Sequence, residues 1–255
     1  MRIIAGTPSA RCWACCSCPV APECFPGVLA AAHLQELERR VEHTAPVHAG
    51  GLLFRQGDPF QYITVIRLGM VKTYAVDRDG REQTLGFHMP GDFIGLSAID
   101  EQRYSCNAIA LDTVTLCRLP FHEIAELATR MPALQAKLFR LMSRDIARAT
   151  QLACNSMADE RLAAFLIDMA DRMAARGYAS NRWQLTMSRM DIASYLRLAP
   201  ETLSRLLRRF QAEGLVTVEG RDVEVRGRDR LQAMAAADPM RRSAPVGVQV
   251  RNQAA

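Results

Sequence analysis

Lysine is almost absent from this 255-residue chain: of its 32 lysines and arginines, only Lys72 and Lys137 are lysines. The formal charge of +5 is therefore an arginine balance, and the planar guanidinium fork suits phosphates and guanine edges. That charge admits a nucleic-acid partner without requiring one. Long apolar runs are missing too. No stretch of 18 apolar residues occurs, which excludes a membrane-spanning helix. The opening Met1-Arg2-Ile3-Ile4-Ala5-Gly6 has too short an apolar run for a signal peptide, so the expected compartment is the cytoplasm. The 5 histidines are scattered, with no Ser/His/Asp set and no phosphate loop, so no enzymatic activity is expected. Disorder is excluded by 49% hydrophobic against 23% charged residues, and the length accommodates two compact domains.

Cysteine, by contrast, is plentiful and clustered. Of 8 cysteines, 5 fall between Cys12 and Cys24. In a long chain without a signal, such clustering points to metal or redox chemistry rather than disulfides. Cys15-x2-Cys18-x5-Cys24 brings three thiolates onto a short loop, and soft thiolates select iron–sulfur clusters or zinc. Zinc sites typically come as two spaced pairs, and no second pair is available. Nor can a C-x3-C-x2-C triplet be formed, which argues against a radical-SAM enzyme. Cys12 and Cys16 leave the ligand assignment open, since Cys12-x2-Cys15 is also available. Cys106 and Cys154 read as small buried hydrophobes.

Pattern divides the rest of the chain. Residues 1–30 lack periodicity, and Ala30 to Val41 is a short amphipathic segment with Leu34, Leu37 and Val41 at helical spacing. Pro46 to Leu119 is a series of short β-type runs broken by turn signals. Among them, Asp77-Arg78-Asp79-Gly80 is a hairpin turn. This spacing predicts a small antiparallel sandwich or barrel. Phe121–Met131 is one helix, and Pro132 opens a longer one reaching about Met157. Along it Met142, Ile146, Ala149 and Ala153 recur at steps of 4, 3 and 4, with Leu134 and Leu138 extending the stripe. The competing readings are packing on its own domain and a dimer seam, and the helix's length favours the seam. Asp159–Ala175 is a further helix, and Arg182–Met187 a short strand. Helices at Arg189–Leu196 and Pro200–Glu213 follow, then a hairpin over 215–225.

Those last two helices have the spacing of a helix-turn-helix, with small Ala193 at the crossing and apolar Leu203 ten positions later. The second would project Glu201, Thr202, Ser204, Arg205 and Arg208 to one side, a face that suits the major groove. Arg209, Arg221 and Arg226 are candidate phosphate contacts. Arg197 stands in the turn where glycine is usual, because that position often has positive φ.

Leu185-Thr186-Met187-Ser188-Arg189-Met190-Asp191-Ile192, then Tyr195-Leu196, then Glu201 through Phe210 closely resemble the CRP/FNR superfamily of bacterial regulators. Glu160-Arg161-Leu162-Ala163-Ala164-Phe165 and Gly86-Phe87-His88…Gly91-Asp92 resemble its FNR (fumarate and nitrate reduction) branch. The likeness covers roughly residues 15 to 230. It implies an α+β protein with an N-terminal antiparallel β-roll (a double-stranded, cupin-like β-helix) as sensor domain. A long dimerisation helix and a C-terminal winged helix-turn-helix would follow. The corresponding boundaries are a cysteine-rich segment at 1–30, the sensor at 31–131, the dimerisation helix at 132–158, the DNA-binding domain at 159–232 and a fraying tail at 233–255.

The same resemblance implies a [4Fe–4S] cluster on Cys15, Cys18, Cys24 and Cys117, the last in Leu116-Cys117-Arg118-Leu119-Pro120-Phe121. Oxygen-dependent loss of the cluster would govern dimerisation through Met142, Ile146, Ala149 and Ala153. Glu201-x-x-Ser204-Arg205 resembles the FNR reading signature, implying a TTGAT-N4-ATCAA palindrome in double-stranded DNA, with Thr202, Arg189, Arg208 and Arg209 in support. Pro200 replaces the arginine usual in cyclic-AMP-type readers. Tyr104-Ser105 likewise stands where a cyclic-nucleotide pocket has Arg-Ser, so no cyclic nucleotide is expected. Val76, Asp77 and Gly80 lie near the family's RNA-polymerase contact. Two departures bear on oxygen response. Pro19, Pro22 and Glu23 flank the thiols where apolar neighbours are common, and Ala149 replaces a frequent acidic residue, which should favour the homodimer. The alternative is a regulator of the same type that senses nitric oxide or redox state through thiols, zinc or haem.

Overall fold

A computed structural model of the chain describes residues 15, 18–154 and 157–236, with the side chains of 151–154 outside the description. The framework divides into two compact bodies. The first takes the described part of Met1–Ala147 together with Leu185–Pro200; the second takes Arg148–Gln184 and the described part of Glu201–Ala255.

In the first body, α1 (Ala31–Glu38) leads into eight strands: β1 (Glu42–His43), β2 (Leu52–Phe54), β3 (Tyr62–Leu68), β4 (Val71–Val76), β5 (Glu82–His88), β6 (Phe93–Ile94), β7 (Asn107–Ala110) and β8 (Thr115–Pro120). They form two four-stranded sheets of order β1-β8-β3-β6 and β2-β7-β4-β5, antiparallel throughout. This is the expected β-roll. Its interior is made by inward side chains at alternate positions, including Ile63, Val65, Val71, Phe93, Leu116 and Leu119, all almost fully buried. The β4–β5 turn closes as expected: Gly80 has φ 79°, and the amides of Asp79 and Arg81 each donate to Asp77 Oδ1 at 2.9 Å.

Two helices follow β8: α2 (Phe121–Arg130), then α3 (Pro132–Cys154). The apolar residues of α3 do not form one stripe. Leu134, Leu138 and Leu141 pack into the core of the roll, whereas Phe139 and Ile146 are 61% and 66% exposed. The reason is angular: residues three, four and seven apart share one helix face, and Phe139, Met142 and Ile146 occupy a different one. Leu134 and Leu138 therefore belong to the domain's own packing rather than to the seam. Of the seam candidates, Met142, Ile146 and Ala149 are exposed, and the Ala153 side chain lies outside the described residues.

The second body contains α4 (Ala158–Ala175), β9 (Arg182–Gln184), α6 (Pro200–Ala212), β10 (Val216–Glu219), β11 (Asp222–Val225) and α7 (Arg228–Ala235); α5 (Arg189–Tyr195) belongs to the first body. The strands form a sheet of order β10-β11-β9. Helix α7 was not anticipated: it includes Ala233, Met234 and Ala235, the start of the expected tail, with Leu231 fully buried, and the rest of that tail from 237 lies outside the described residues. Among the described residues no helix is long and apolar enough to cross a membrane.

Candidate cysteine site and nucleic-acid interface

The cysteine loop is a run of tight turns. The Cys18 amide donates to the Cys15 carbonyl at 3.3 Å, the Ala21 amide to the Cys18 carbonyl at 2.9 Å, and the Cys24 amide to the Val20 carbonyl at 3.0 Å. Phe25 anchors it. Its ring is fully buried and meets Phe93 edge-on at 4.9 Å, and burying such a ring contributes about 2–3 kcal/mol. The loop also lies directly on the turn at Gly91. That residue has φ +88°, and a Cβ there would stand 2.8 Å from Glu23 Cβ. Only glycine suits both demands.

This docking brings sequence-distant thiols together. Cys15, Cys18 and Cys24 line one cavity with Cys117, walled by Val20, Ala21, Phe25, Leu37, Val41, Val65 and Leu119. Strand register supplies Cys117: on β8 it faces His43 of β1 on one side and Val65 of β3 on the other. Cys117 Sγ lies 3.4 Å from His43 Nδ1, and the Cys15 amide donates to the Glu38 carboxylate. Burial pushes the Cys24 thiol up to about 12. A backbone hydrogen bond at Phe25 opposes the rise, while Cys117, Cys15 and Cys18 add to it. Burial likewise takes Cys117 to about 11, with Cys18 raising it and Arg67 opposing. Thiolates at such positions demand a cationic partner. Among the described residues, no three His, Cys, Asp or Glu side chains converge as on a single metal ion. Cys12 and Cys16 lie outside the described residues. Cys106 is 8% exposed, as expected of a small core residue, and is not part of the cavity lining.

Sequence reasoning missed His43, Glu38 and Arg67. His43 reaches Cys117 only through the pairing of β1 with a strand some seventy residues away, which no local signal announces. Tyr104, at the place of a nucleotide-binding arginine, is buried. It stacks on Phe54 at 3.9 Å and donates to the Tyr62 carbonyl at 3.1 Å, while Arg103 donates to the Gly57 carbonyl at 2.7 Å.

Among the nucleic-acid candidates, α5 begins at a capping box. The Asp191 amide donates to Ser188 Oγ at 3.0 Å, and the Ser188 amide donates to Asp191 Oδ2 at 3.3 Å. Asp191 also meets Lys72 Nζ at 2.7 Å. Thr84 donates its amide to Ser194 Oγ at 2.9 Å, and the rings of Phe87 and Tyr195 lie 5.4 Å apart. The turn after α5 places Arg197 at φ 54°, so the expected left-handed residue is present without glycine. On α6, Glu201, Arg205 and Arg208 are exposed, Thr202 and Ser204 are half-buried, and Leu203, Leu207 and Phe210 are buried. Arg205 donates to Thr202 Oγ1 at 3.3 Å. Arg209 is tied down by Asp159 at 2.9 Å and Glu213 at 3.7 Å. Arg226 pairs with Glu224 at 3.2 Å. Arg189 is exposed on the first turn of α5, as are Val76, Asp77 and Gly80 at the β4–β5 turn.

Comparison with known proteins agrees with this layout. Residues 45–131 match the cyclic nucleotide-binding domain model, and residues 160–234 match the Crp-like helix-turn-helix domain. The chain is 40% identical over 224 residues to the transcriptional activator protein Anr of Pseudomonas aeruginosa, covering 87% of this chain and 92% of that one. It is 37% identical to the fumarate and nitrate reduction regulatory protein of Salmonella typhi, covering 87% and 90%. Among solved structures, FixK2 from Bradyrhizobium japonicum matches with a TM-score of 0.69 and 26% identity, covering 77% of this chain and 98% of that one.

Proposed function

Because the chain belongs to the CRP/FNR superfamily of DNA-binding transcription regulators, in its FNR branch, we propose that it is an oxygen-responsive member whose [4Fe–4S] cluster governs dimerisation and DNA binding. The protein is a regulator and not an enzyme. The observation that carries the oxygen-sensing reading is the gathering of Cys15, Cys18, Cys24 and Cys117 around one apolar cavity. The donor set fits the group. Four soft ligands surround a space without converging on a point, which suits a cluster of several atoms better than a single ion. Such a cluster, when bound, supplies an iron–sulfur core that reacts with oxygen.

The chain's own residues do the remainder. Cys15, Cys18 and Cys24 hold the loop to the cavity, Phe25 seals it from water, and Cys117 ties it to β8. The face of α3 that carries Met142, Ile146 and Ala149, all exposed, serves together with Ala153 as the homodimer seam. Two copies of α6 then read the half-sites of a TTGAT-N4-ATCAA palindrome about one DNA turn apart. Glu201, Ser204 and Arg205 address base edges, Thr202 orients Arg205, and Arg189 and Arg208 meet phosphates. Arg209, engaged with Asp159 and Glu213, acts chiefly on the placement of α6. The turn at Val76, Asp77 and Gly80 is the RNA-polymerase contact. Anaerobic loading with ferrous and ferric iron and sulfide tests the reading. The expected product absorbs broadly near ~400 nm, bleaches in air and binds the palindrome only before bleaching. A colourless zinc protein, or one whose DNA affinity ignores air, overturns it.

A further inference from the structure

The short stretch from the end of α1 to β1 touches both ends of the thiol set. At its start the Glu38 carboxylate accepts the Cys15 amide, and at its end His43 places Nδ1 3.4 Å from Cys117 Sγ. The two contacts differ in kind. Glu38 meets the backbone and bears on where the cysteine loop begins, whereas His43 meets a sulfur that lines the cavity. Register makes the second contact a fixture of the fold. His43 and Cys117 are directly opposed on the antiparallel β1–β8 pair, so their side chains stand on the same face of the sheet. Val65, opposite Cys117 on β3, offers that sulfur only carbon. His43 is exposed on the edge strand, so core packing does not account for it, and an apolar β-former would pair with β8 equally well.

We propose that His43 is a positioning residue of the cysteine site: its Nδ1–H donates to Cys117 Sγ, fixes the direction of that thiolate and draws negative charge from the group it ligates. This rests on the iron–sulfur reading above. A ligating thiolate has only lone pairs to offer, so the hydrogen bond requires the imidazole proton on Nδ1. Partners behind the ligands orient them and tune what they hold, and hydrogen bonds to the sulfurs are among the settings of an iron–sulfur potential. The sign follows from charge. A hydrogen bond to the sulfur stabilises the more negative, reduced form more than the oxidised one, and so raises the potential. It also slows the passage of one electron from the loaded site to dioxygen, which becomes superoxide. A side chain on the sheet edge, outside the loop that carries three of the ligands, thereby sets how readily the site responds to air.

The test compares full-length wild type, His43→Phe and His43→Asn, each loaded anaerobically with ferrous and ferric iron and sulfide. Phenylalanine keeps a planar ring with carbon in place of Nδ1, whereas the asparagine amide nitrogen falls near the Nδ1 position and can donate. The readouts are iron and sulfide per chain, midpoint potential, rate of bleaching in air, and thermal midpoint of the metal-free chain. His43→Phe is expected to load and melt like wild type, to have a lower potential and to bleach severalfold faster. His43→Asn is expected to keep a potential close to wild type. Unchanged potential and bleaching rate in His43→Phe overturn the inference. So does an equal fall in both variants, which would make ring shape rather than the donated hydrogen bond the cause. Should His43→Phe fail to retain iron and sulfide, normal loading of His43→Asn supports the contact and loss in both overturns it. A wild type that takes up no iron and sulfide overturns the functional reading itself, and is recognised before any variant is made.

Discussion

Lys72 on β4 meets Asp191 in the first turn of α5 at 2.7 Å, 119 positions apart in sequence. The same carboxylate receives the Ser188 amide and hydroxyl at 3.3 and 2.6 Å. One side chain therefore both caps α5 and fastens it to the sheet. The two partners are not equally dependent. Asp191 keeps Ser188 if the lysine is removed, whereas Lys72 keeps Glu82, 3.5 Å away on a side chain 55% exposed, and the Tyr74 ring, 5.0 Å from its Nζ. Asp191→Asn should cost about 1–3 kcal/mol, because it strands a largely buried ammonium. Lys72→Met should cost less. Urea midpoints decide; equal losses would show that the ion pair, not the cap or a stranded ammonium, dominates.

The pH dependence of this contact has a definite sign. Burial raises Asp191, but the hydrogen bonds from Lys72 and Ser188 and the charge of Lys72 outweigh it and leave its value below 3.8. Burial lowers Lys72, but Asp191 and Glu82 outweigh it and leave its value above 10.5. The carboxylate's contribution is complete above its ordinary value and is lost as pH falls through the depressed one. The amine's contribution is complete below its ordinary value and is lost as pH rises through the raised one. The stability difference between wild type and Asp191→Asn should therefore stay flat from about pH 5 to about pH 9 and shrink near about pH 3. Denaturation across that range checks it.

Arg205 and Arg209 should separate in a DNA-binding series. Arg205 is exposed and held only by Thr202, so Arg205→Ala should cost about 1–3 kcal/mol at one base step and relax specificity there. Arg209→Ala should weaken binding on all sequences alike and destabilise the second body by less than about 1 kcal/mol, since its ion pairs are half exposed. Competition titrations with single-base operator variants distinguish the two patterns.

At the α3 seam, Ala149→Asp would set like charges against each other across a two-fold axis. Weakening of the loaded dimer by about tenfold or more is expected, with no change in the thermal midpoint of the roll. Ile146→Glu should act more strongly, because a large exposed apolar group is lost as well. Sedimentation of the anaerobic proteins over a concentration series measures both.

Cys106 supplies the control for the cysteine site. It is buried but outside the cavity, so Cys106→Ala should leave iron and sulfide content unchanged. Cys117→Ala and Cys24→Ala should abolish stable loading. Loading by Cys117→Ala equal to wild type would move the fourth ligand elsewhere.

The sequence made legible whatever depends on neighbours a few residues apart. The turn at Asp77–Gly80, the left-handed Arg197 and the apolar period of α6 all belong to that class, and the β-roll followed from the family resemblance. Hidden features depend on register. His43 faces Cys117 because of how β1 aligns with β8, and Asp191 meets Lys72 because α5 lies on the β4–β5 hairpin. The apolar residues of α3 read as one stripe because composition does not say where a helix's inner face begins. Helix α7 was hidden because its single buried anchor, Leu231, sits in a polar stretch.

Both lysines of the chain are buried, at 9% and 7% exposure, in two different places. An amine-directed reagent would therefore find no lysine waiting on the folded surface, and each acylation would record an opening event. Label at Lys72 would time the release of α5 from the hairpin, and label at Lys137 the lifting of α3 from the core of the roll. Mass spectrometry of a brief labelling pulse would turn the scarcity of one amino acid into two independent clocks within the same molecule.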